Sequence, residues 1–147
     1  MKYVWFMLCG ACLISLSGCD SQKVATDEEA QALATSYLSA VHNGEYDKAF
    51  QFCSDDFFNV RSQDGWKRFY TSIDAKLGKI VRMDMKDKVA DDRLTARFYM
   101  YQFNSKYENG LAKETVTMLQ KFNSQEPFMI YAHKIESSKL PGIGDLQ

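Results

Sequence analysis

Proline occurs only twice in the 147 residues, histidine twice and cysteine four times, and neither sign of charge prevails, since 18 basic side chains face 19 acidic ones. Each scarcity excludes something. So little proline in a chain that is 14% aromatic argues against a disordered protein. Balanced charge argues against nucleic acid as a partner, because a phosphate backbone selects for a basic excess. The histidines and cysteines suffice for one zinc site or two disulfides at most, and their positions decide whether either exists. No glycine-rich phosphate loop follows a predicted strand: Gly142-x-Gly144 has no strand before it and no helix after it. No G-x-S-x-G nucleophile motif occurs either. The length suits one domain, because a second would have too little chain for its own core.

What is present begins with Met1–Cys19. Lys2 precedes an apolar run from Tyr3 to Leu16, closed by Ser17-Gly18-Cys19. A positive start, a short apolar core and small residues at the end form the layout of a secretory signal. The run is shorter than the roughly 20 residues a membrane span needs, and it has no polar face to show to water as a globular helix would. Leu16-Ser17-Gly18-Cys19 resembles the lipobox of bacterial lipoproteins. That resemblance implies that Cys19 is lipidated and becomes the new amino terminus, and that the bilayer is a partner through the acyl chains. Each buried CH₂ contributes about 0.8 kcal/mol to such an anchor. Asp20 resembles the enteric signal for retention in the inner membrane, so the expected location is the extracytoplasmic side of a bacterial cell membrane.

The predicted organisation is a signal over 1–18, a lipidated cysteine and tether over 19–25, a domain over 26–136 and a loose tail over 137–147. Cleavage removes 18 of the 147 residues and leaves 129. Cys9 and Cys12 leave with the signal and the Cys19 thiol is consumed by lipid, so only Cys53 remains as a thiol. A disulfide within the mature chain and a cysteine-based metal site are both excluded on this reading, and no cofactor is expected. The tether spans at most about 20 Å, which keeps the domain close to the bilayer.

Periodicity predicts the elements of the domain. Thr26-Asp27-Glu28-Glu29 fits a capping box at the head of a first helix. Ala30, Leu33, Ala34, Tyr37, Leu38 and Val41 form its apolar face, and Asn43-Gly44 ends it. A short second helix carries Tyr46, Ala49, Phe50 and Cys53 on one face. Phe57-Phe58-Asn59-Val60 reads as a short strand or a turn. A third helix runs from Ser62-Gln63-Asp64 to Gly78, with Trp66, Phe69, Tyr70, Ile73 and Leu77 on one face. The period then changes to two. Val81, Met83 and Met85 alternate with charged residues, and Asp91-Asp92 marks a turn. A strand from Leu94 to Tyr107 carries Phe98 and Met100 on one face and Tyr99, Tyr101 and Phe103 on the other. Asn109-Gly110 signals a hairpin, and strands over Leu111–Phe122 and Phe128–Ile135 follow. Helices followed by hairpin-linked strands predict an α+β fold: helices packed on a curved antiparallel sheet of about four strands.

This order resembles the nuclear-transport-factor-two-like, or cystatin-like, cone. The residues that carry the resemblance are the first amphipathic helix, then Asn43-Gly44-Glu45-Tyr46-Asp47-Lys48-Ala49-Phe50, then Trp66 followed by Leu77-Gly78. It covers Thr26 to Glu136. It implies a curved sheet wrapped around a long helix with a pocket at the mouth of the cone, and it is compatible with isomerases, dehydratases, transport factors and non-catalytic accessory domains.

The candidates for a pocket or an interface are Tyr99, Tyr101, Phe103, Glu114, Tyr131 and His133, with ordinary cross-strand packing the preferred expectation for the stripe of Tyr99, Tyr101 and Phe103. No catalytic set is assigned. His133 shares strand parity with Met129, Tyr131 and Ile135, and imidazole suits acid–base work; a structural histidine is the preferred expectation. Glu114 shares parity with Val116 and Met118 and so points inward by alternation, yet charged strand residues such as Glu114, Asp84 and Arg97 ordinarily occupy a solvated face. His42 is expected to cap the first helix. Cys53 is expected to be buried and inert. The preferred function is a non-catalytic domain that binds a small ligand or an envelope protein beside the membrane. The alternatives are a small isomerase or dehydratase, which requires Glu114 or Asp84 to converge with His133 or a tyrosine, and a homodimer that buries Tyr99 or Tyr101 between chains.

Overall fold

The computed structural model describes residues 24–124 and 126–140. The signal, the lipobox and the tether up to residue 23 lie outside the described residues, as do residues 141–147 of the tail. Four helices precede four strands: α1 (Asp27–His42), α2 (Tyr46–Phe50), α3 (Phe57–Val60), α4 (Gln63–Leu77), β1 (Ile80–Asp92), β2 (Ala96–Tyr107), β3 (Gly110–Lys121) and β4 (Met129–Glu136). The strands form one antiparallel sheet in the order β1-β2-β3-β4, with the helices on its inner face. The α+β class and the four-stranded sheet are as expected.

Local chemistry explains the helix boundaries. Thr26 Oγ1 accepts from the Glu29 amide at 3.2 Å while the Thr26 amide donates to the Glu29 carboxylate at 2.8 Å, so the capping box forms. Ser62 caps α4 by accepting from the Gly65 amide at 3.2 Å. Gly78 ends α4 at φ 76° and ψ −166°, a region open only to glycine. A Cβ at that position would also meet the Glu108 carboxylate at 2.5 Å.

Phe57–Val60 takes the turn alternative, as a single helical turn with Phe57 stacked on Trp66 at 4.6 Å. Three sequence expectations shift. β1 continues through Asp91-Asp92, and the turn into β2 falls after them. The β2–β3 turn is Glu108-Asn109, with Tyr107 opposite Gly110. Gly110 is thus the first residue of β3, where an added Cβ would press on Leu77 and Lys139, both at 3.3 Å. Residues 137–140 form a turn held on this hairpin: Ser137 Oγ donates to the Leu111 carbonyl at 2.6 Å and Lys139 Nζ to the Asn109 carbonyl.

The inner face of the sheet is aromatic along β2. Tyr99, Tyr101, Phe103 and Tyr107 are buried there together with Ala112, Val116 and Met118 of β3. Against them pack Ala30, Ala34, Tyr37 and Leu38 of α1 and Trp66, Tyr70 and Ile73 of α4. Burying a side chain of this size contributes about 1.5–3 kcal/mol. The outer face carries Phe98, Met100, Thr117 and Leu119, half-buried, with Val89 of β1 exposed beside them.

The register of β4 contains a bulge. Thr117 pairs with Ala132, but Met118 pairs with Ile130, which leaves Tyr131 as the extra residue. Ile130 therefore points inward and is fully buried, while Tyr131 turns outward and meets the Phe98 ring at 6.2 Å. Strict alternation would have put Tyr131 on the face of His133. The bulge lies where the chain beyond α2 docks on the edge of β4: the Ile130 amide donates to the Phe52 carbonyl at 2.8 Å, and the Ser54 amide donates to the Ile130 carbonyl at 2.9 Å.

Candidate functional site

Three of the polar side chains on the inner parity of the sheet meet in the core: Tyr107 from β2, Glu114 from β3 and His133 from β4. The last turn of α1 adds His42, the middle of α1 adds Tyr37, and α4 adds Tyr70. These six side chains form one continuous hydrogen-bonded cluster.

Glu114 is its centre and has no exposed surface. Tyr107 Oη donates to Oε1 at 2.9 Å. His133 Nε2 lies 3.2 Å from Oε2, and His42 Nε2 lies 3.2 Å from both carboxylate oxygens. Burial by itself pushes the Glu114 carboxyl up. The hydrogen bonds from His133 and His42 outweigh it and hold the group well below the usual carboxylate range. Glu114 is thus ionised and accepts only, which assigns a proton to Nε2 of each histidine.

The far side of His133 is satisfied in turn. Its Nδ1 lies 3.1 Å from the hydroxyl of Tyr37 and 3.1 Å from that of Tyr70, and the two hydroxyls are 2.7 Å apart. With the ring proton on Nε2, one tyrosine donates to Nδ1 and the other donates to its neighbour, so every hydroxyl proton in the cluster has an acceptor. Burial raises the pKa of both tyrosines well above normal, and Tyr107 likewise, so all three act as neutral donors.

Aromatic rings close the space around these groups. Tyr37 and Tyr70 contact the His133 ring at 5.4 and 5.7 Å, Trp66 stacks on Tyr70 at 5.5 Å, and His42 meets Tyr107 edge-on at 5.9 Å. His42 is the most exposed of the six, with 9% of its side chain exposed. An acid–base residue must come within about 3 Å of the proton it moves, directly or through one water. Here the carboxylate oxygens are already engaged by the protein's own donors.

The arrangement corrects the expectations for Glu114, His42 and Tyr131 and agrees with those for Asp84, Arg97 and Cys53. Glu114 is buried rather than on a solvated face, because three donors from α1, β2 and β4 replace its hydration. His42 does stand in the last turn of α1, but its Nε2 serves Glu114, 72 residues away in sequence. Tyr99 and Tyr101 are buried within the chain itself: their hydroxyls donate to the carbonyls of Ala25 at 2.5 Å and Asp27 at 3.0 Å, at the head of α1. Phe103 is buried beside them, paired across from Glu114. Tyr131 belongs to the opposite face. Asp84 and Arg97 are surface residues, ion-paired with Arg82 at 2.7 Å and with Asp92 respectively. Cys53 is a buried free thiol that donates to the Ala49 carbonyl at 3.6 Å, and burial pushes its pKa well up. Tyr37, Tyr70 and Tyr107 were missed as site residues. Tyr37 and Tyr70 look like ordinary helix core positions, and only Tyr107 carried a signal, as an inner-parity residue of the same strand as Tyr101 and Phe103.

No protein-family model and no curated protein sequence matches the chain. Solved structures do. Bd1075 of Bdellovibrio bacteriovorus superposes with a TM-score of 0.52 at 12% identity over 75% of this chain, which spans 40% of that protein. A candidate ketosteroid isomerase from Shewanella frigidimarina gives 0.51 at 11% identity, covering 73% of this chain and 94% of the other. A nuclear-transport-factor-two-like protein of unknown function from Pseudomonas putida gives 0.50 at 10% identity, covering 74% and 83%. Identities this low speak to architecture alone. The chain has the nuclear-transport-factor-two-like cone fold, with the interior of its cone filled by a carboxylate–histidine–tyrosine cluster.

Proposed function

We propose that the protein is a membrane-anchored bacterial lipoprotein whose cone domain is non-catalytic and binds a ligand or an envelope protein beside the membrane. The observation that supports the non-catalytic reading is the closure of Glu114. The carboxylate is ionised, wholly buried and taken up by three donors, so it is a structural anion rather than a waiting base. The lipobox at Leu16–Cys19 supports the anchor. So does the fastening of the chain at Ala25, whose amide donates to Gln120 Oε1 at 2.8 Å and whose carbonyl accepts from Tyr99. With the domain secured there, five residues, Asp20 to Val24, separate it from Cys19.

Two experiments test the two halves of this reading. Treatment of the folded protein with a water-soluble carbodiimide and amine should label the exposed acids and spare Glu114; labelling of Glu114 at their rate would overturn the sealed-core reading. Replacement Cys19→Ser should abolish incorporation of a fatty-acid analogue, and unchanged incorporation would overturn the anchor.

The convergence of Glu114 with His133 at 3.2 Å favours one rival, an isomerase or dehydratase whose core opens to admit substrate. That rival predicts carbodiimide labelling of Glu114. A sheet-mediated homodimer would have to use the outer face, with Val89, Met100 and Tyr131, because Tyr99 and Tyr101 are committed to α1.

A further inference from the structure

We propose that the cleft between α4 and β4 binds a small apolar carboxylate, one about the size of a single aromatic ring with one carboxyl group. The cleft shares only His133 with the buried cluster, so this site is separate from the Glu114 chemistry.

The dimensions set the size of the ligand. The cavity volume is about 180 Å³. An apolar cavity of about 150 Å³ accepts benzene, whereas pockets for larger ligands begin near 300 Å³. The walls set its apolar character. Trp66, Phe69 and Ile73 of α4 face Ile135 of β4 across the space.

The charge sets its sign. Arg61, Lys76 and Lys134 line the cleft, and among the described residues no aspartate or glutamate does. Lys134 is paired with Glu136 at 2.8 Å. Arg61 and Lys76 have no acidic partner among the described residues, whereas Lys67 on the same helix is paired with Asp47 at 2.7 Å. The Arg61 guanidinium lies over the Phe69 ring at 4.6 Å and the Trp66 ring at 5.2 Å. The two rings hold the guanidinium over the apolar wall, and its N–H groups have no acceptor among the described residues; arginine can bind a carboxylate bidentately through such N–H groups. Two unpaired cations beside an apolar slot of one-ring size are complementary to an aromatic or branched-chain carboxylate, and a neutral ligand would leave both cations unused.

Trp66 lies in the wall and is the one tryptophan after the predicted cleavage point, so it reports occupancy by fluorescence. The chain from Asp20 onward retains every described element and serves as the sample. Titration with benzoate should saturate, with an affinity about fivefold tighter than for benzamide, a preference that salt weakens. Lys76→Gln, an exposed position, should narrow the preference, and Arg61→Gln with Lys76→Gln should erase it. Ser72→Phe, which fills the cleft from an exposed helix position, should abolish both titrations. Absence of saturation, equal affinity for benzoate and benzamide, or insensitivity to Ser72→Phe would each overturn the proposal. Leu140 lines the cleft, so a competing occupant to test is the sequence that follows it. If Ile143→Ser with Leu146→Ser is needed before benzoate binds, the cleft belongs to the chain's own tail and the proposal falls. Carbodiimide labelling of Glu114 bears on the non-catalytic reading and is independent of every one of these outcomes.

Discussion

The inner face of the sheet buries tyrosines at both of its ends, and the two ends satisfy them differently. At the head of α1, Tyr99 and Tyr101 each donate one hydroxyl to a backbone carbonyl. At the tail of α1, Tyr107, Tyr37 and Tyr70 join a carboxylate and two histidines in one network. At the first end each polar group needs a single partner, and that partner is main chain. At the second the central group is charged and needs several donors from separate elements at once. The first end should therefore tolerate single losses that the second does not.

The largest expected effect is Glu114→Ala, which leaves His42, His133 and Tyr107 as buried donors without their acceptor. A loss of about 3 kcal/mol or more is expected in urea unfolding, since each buried donor left unsatisfied costs about 1–3 kcal/mol. A loss below about 1 kcal/mol would show that the cluster is hydrated and the two ends alike.

Acidification should separate the two ends next. The Glu114 carboxyl has a folded-state pKa below its unfolded value, because the hydrogen bonds from His133 and His42 overcome the opposing effect of burial. In the acid range the unfolded chain then binds the extra proton, so stability rises with pH. The contribution of Glu114 is complete above about pH 5 and is lost as pH falls through and below the ordinary glutamate range. In Glu114→Gln the acid limb of the stability profile should flatten, while in Tyr99→Phe it should stay parallel to that of the parent.

Tyr99→Phe and Tyr101→Phe should each cost about 1 kcal/mol, the net worth of one hydrogen bond. Amide exchange should quicken at the start of α1, beside the Ala25 and Asp27 carbonyls. Exchange quickening instead around His133 would mean that the two ends are coupled. The smallest effect is expected on the outer face. Tyr131→Ala removes a half-exposed ring packed on Phe98 and should shift stability by no more than about 0.5 kcal/mol. A larger loss that depends on protein concentration would indicate that this face is covered by a second chain.

Much of the fold was legible because it rests on local rules. Thr26 and Glu29 are three residues apart, so their capping box can be read as a motif. The glycine that ends α4 is called for by backbone geometry alone. The stripe of Tyr99, Tyr101 and Phe103 follows from the period of a strand. The cluster was not legible on the same terms. Glu114 pointed inward by alternation, but the general preference of charged residues for water pointed the other way, and only the identity of its neighbours resolves that conflict. Those neighbours lie 72 residues before it on α1 and 19 residues after it on β4. Tyr131 was placed on the wrong face because alternation assumes an unbroken ladder, and the bulge opposite Met118 breaks it.

The sequence by itself determined α1 and α4 with their caps, the short α2, the change of period after Gly78 and the hairpin order of the strands. Propensity, capping and alternation act over a few residues and need no partner from elsewhere. Tertiary structure alone decided that a glutamate would be buried and ionised, which histidine nitrogens would hold it, and that the Arg61 guanidinium would stand over the Trp66 and Phe69 rings beside an open cleft. Each of these outcomes depends on donors, acceptors and charges brought together from distant elements, because desolvation and hydrogen bonding are set by the full shell around a group rather than by its neighbours in the chain.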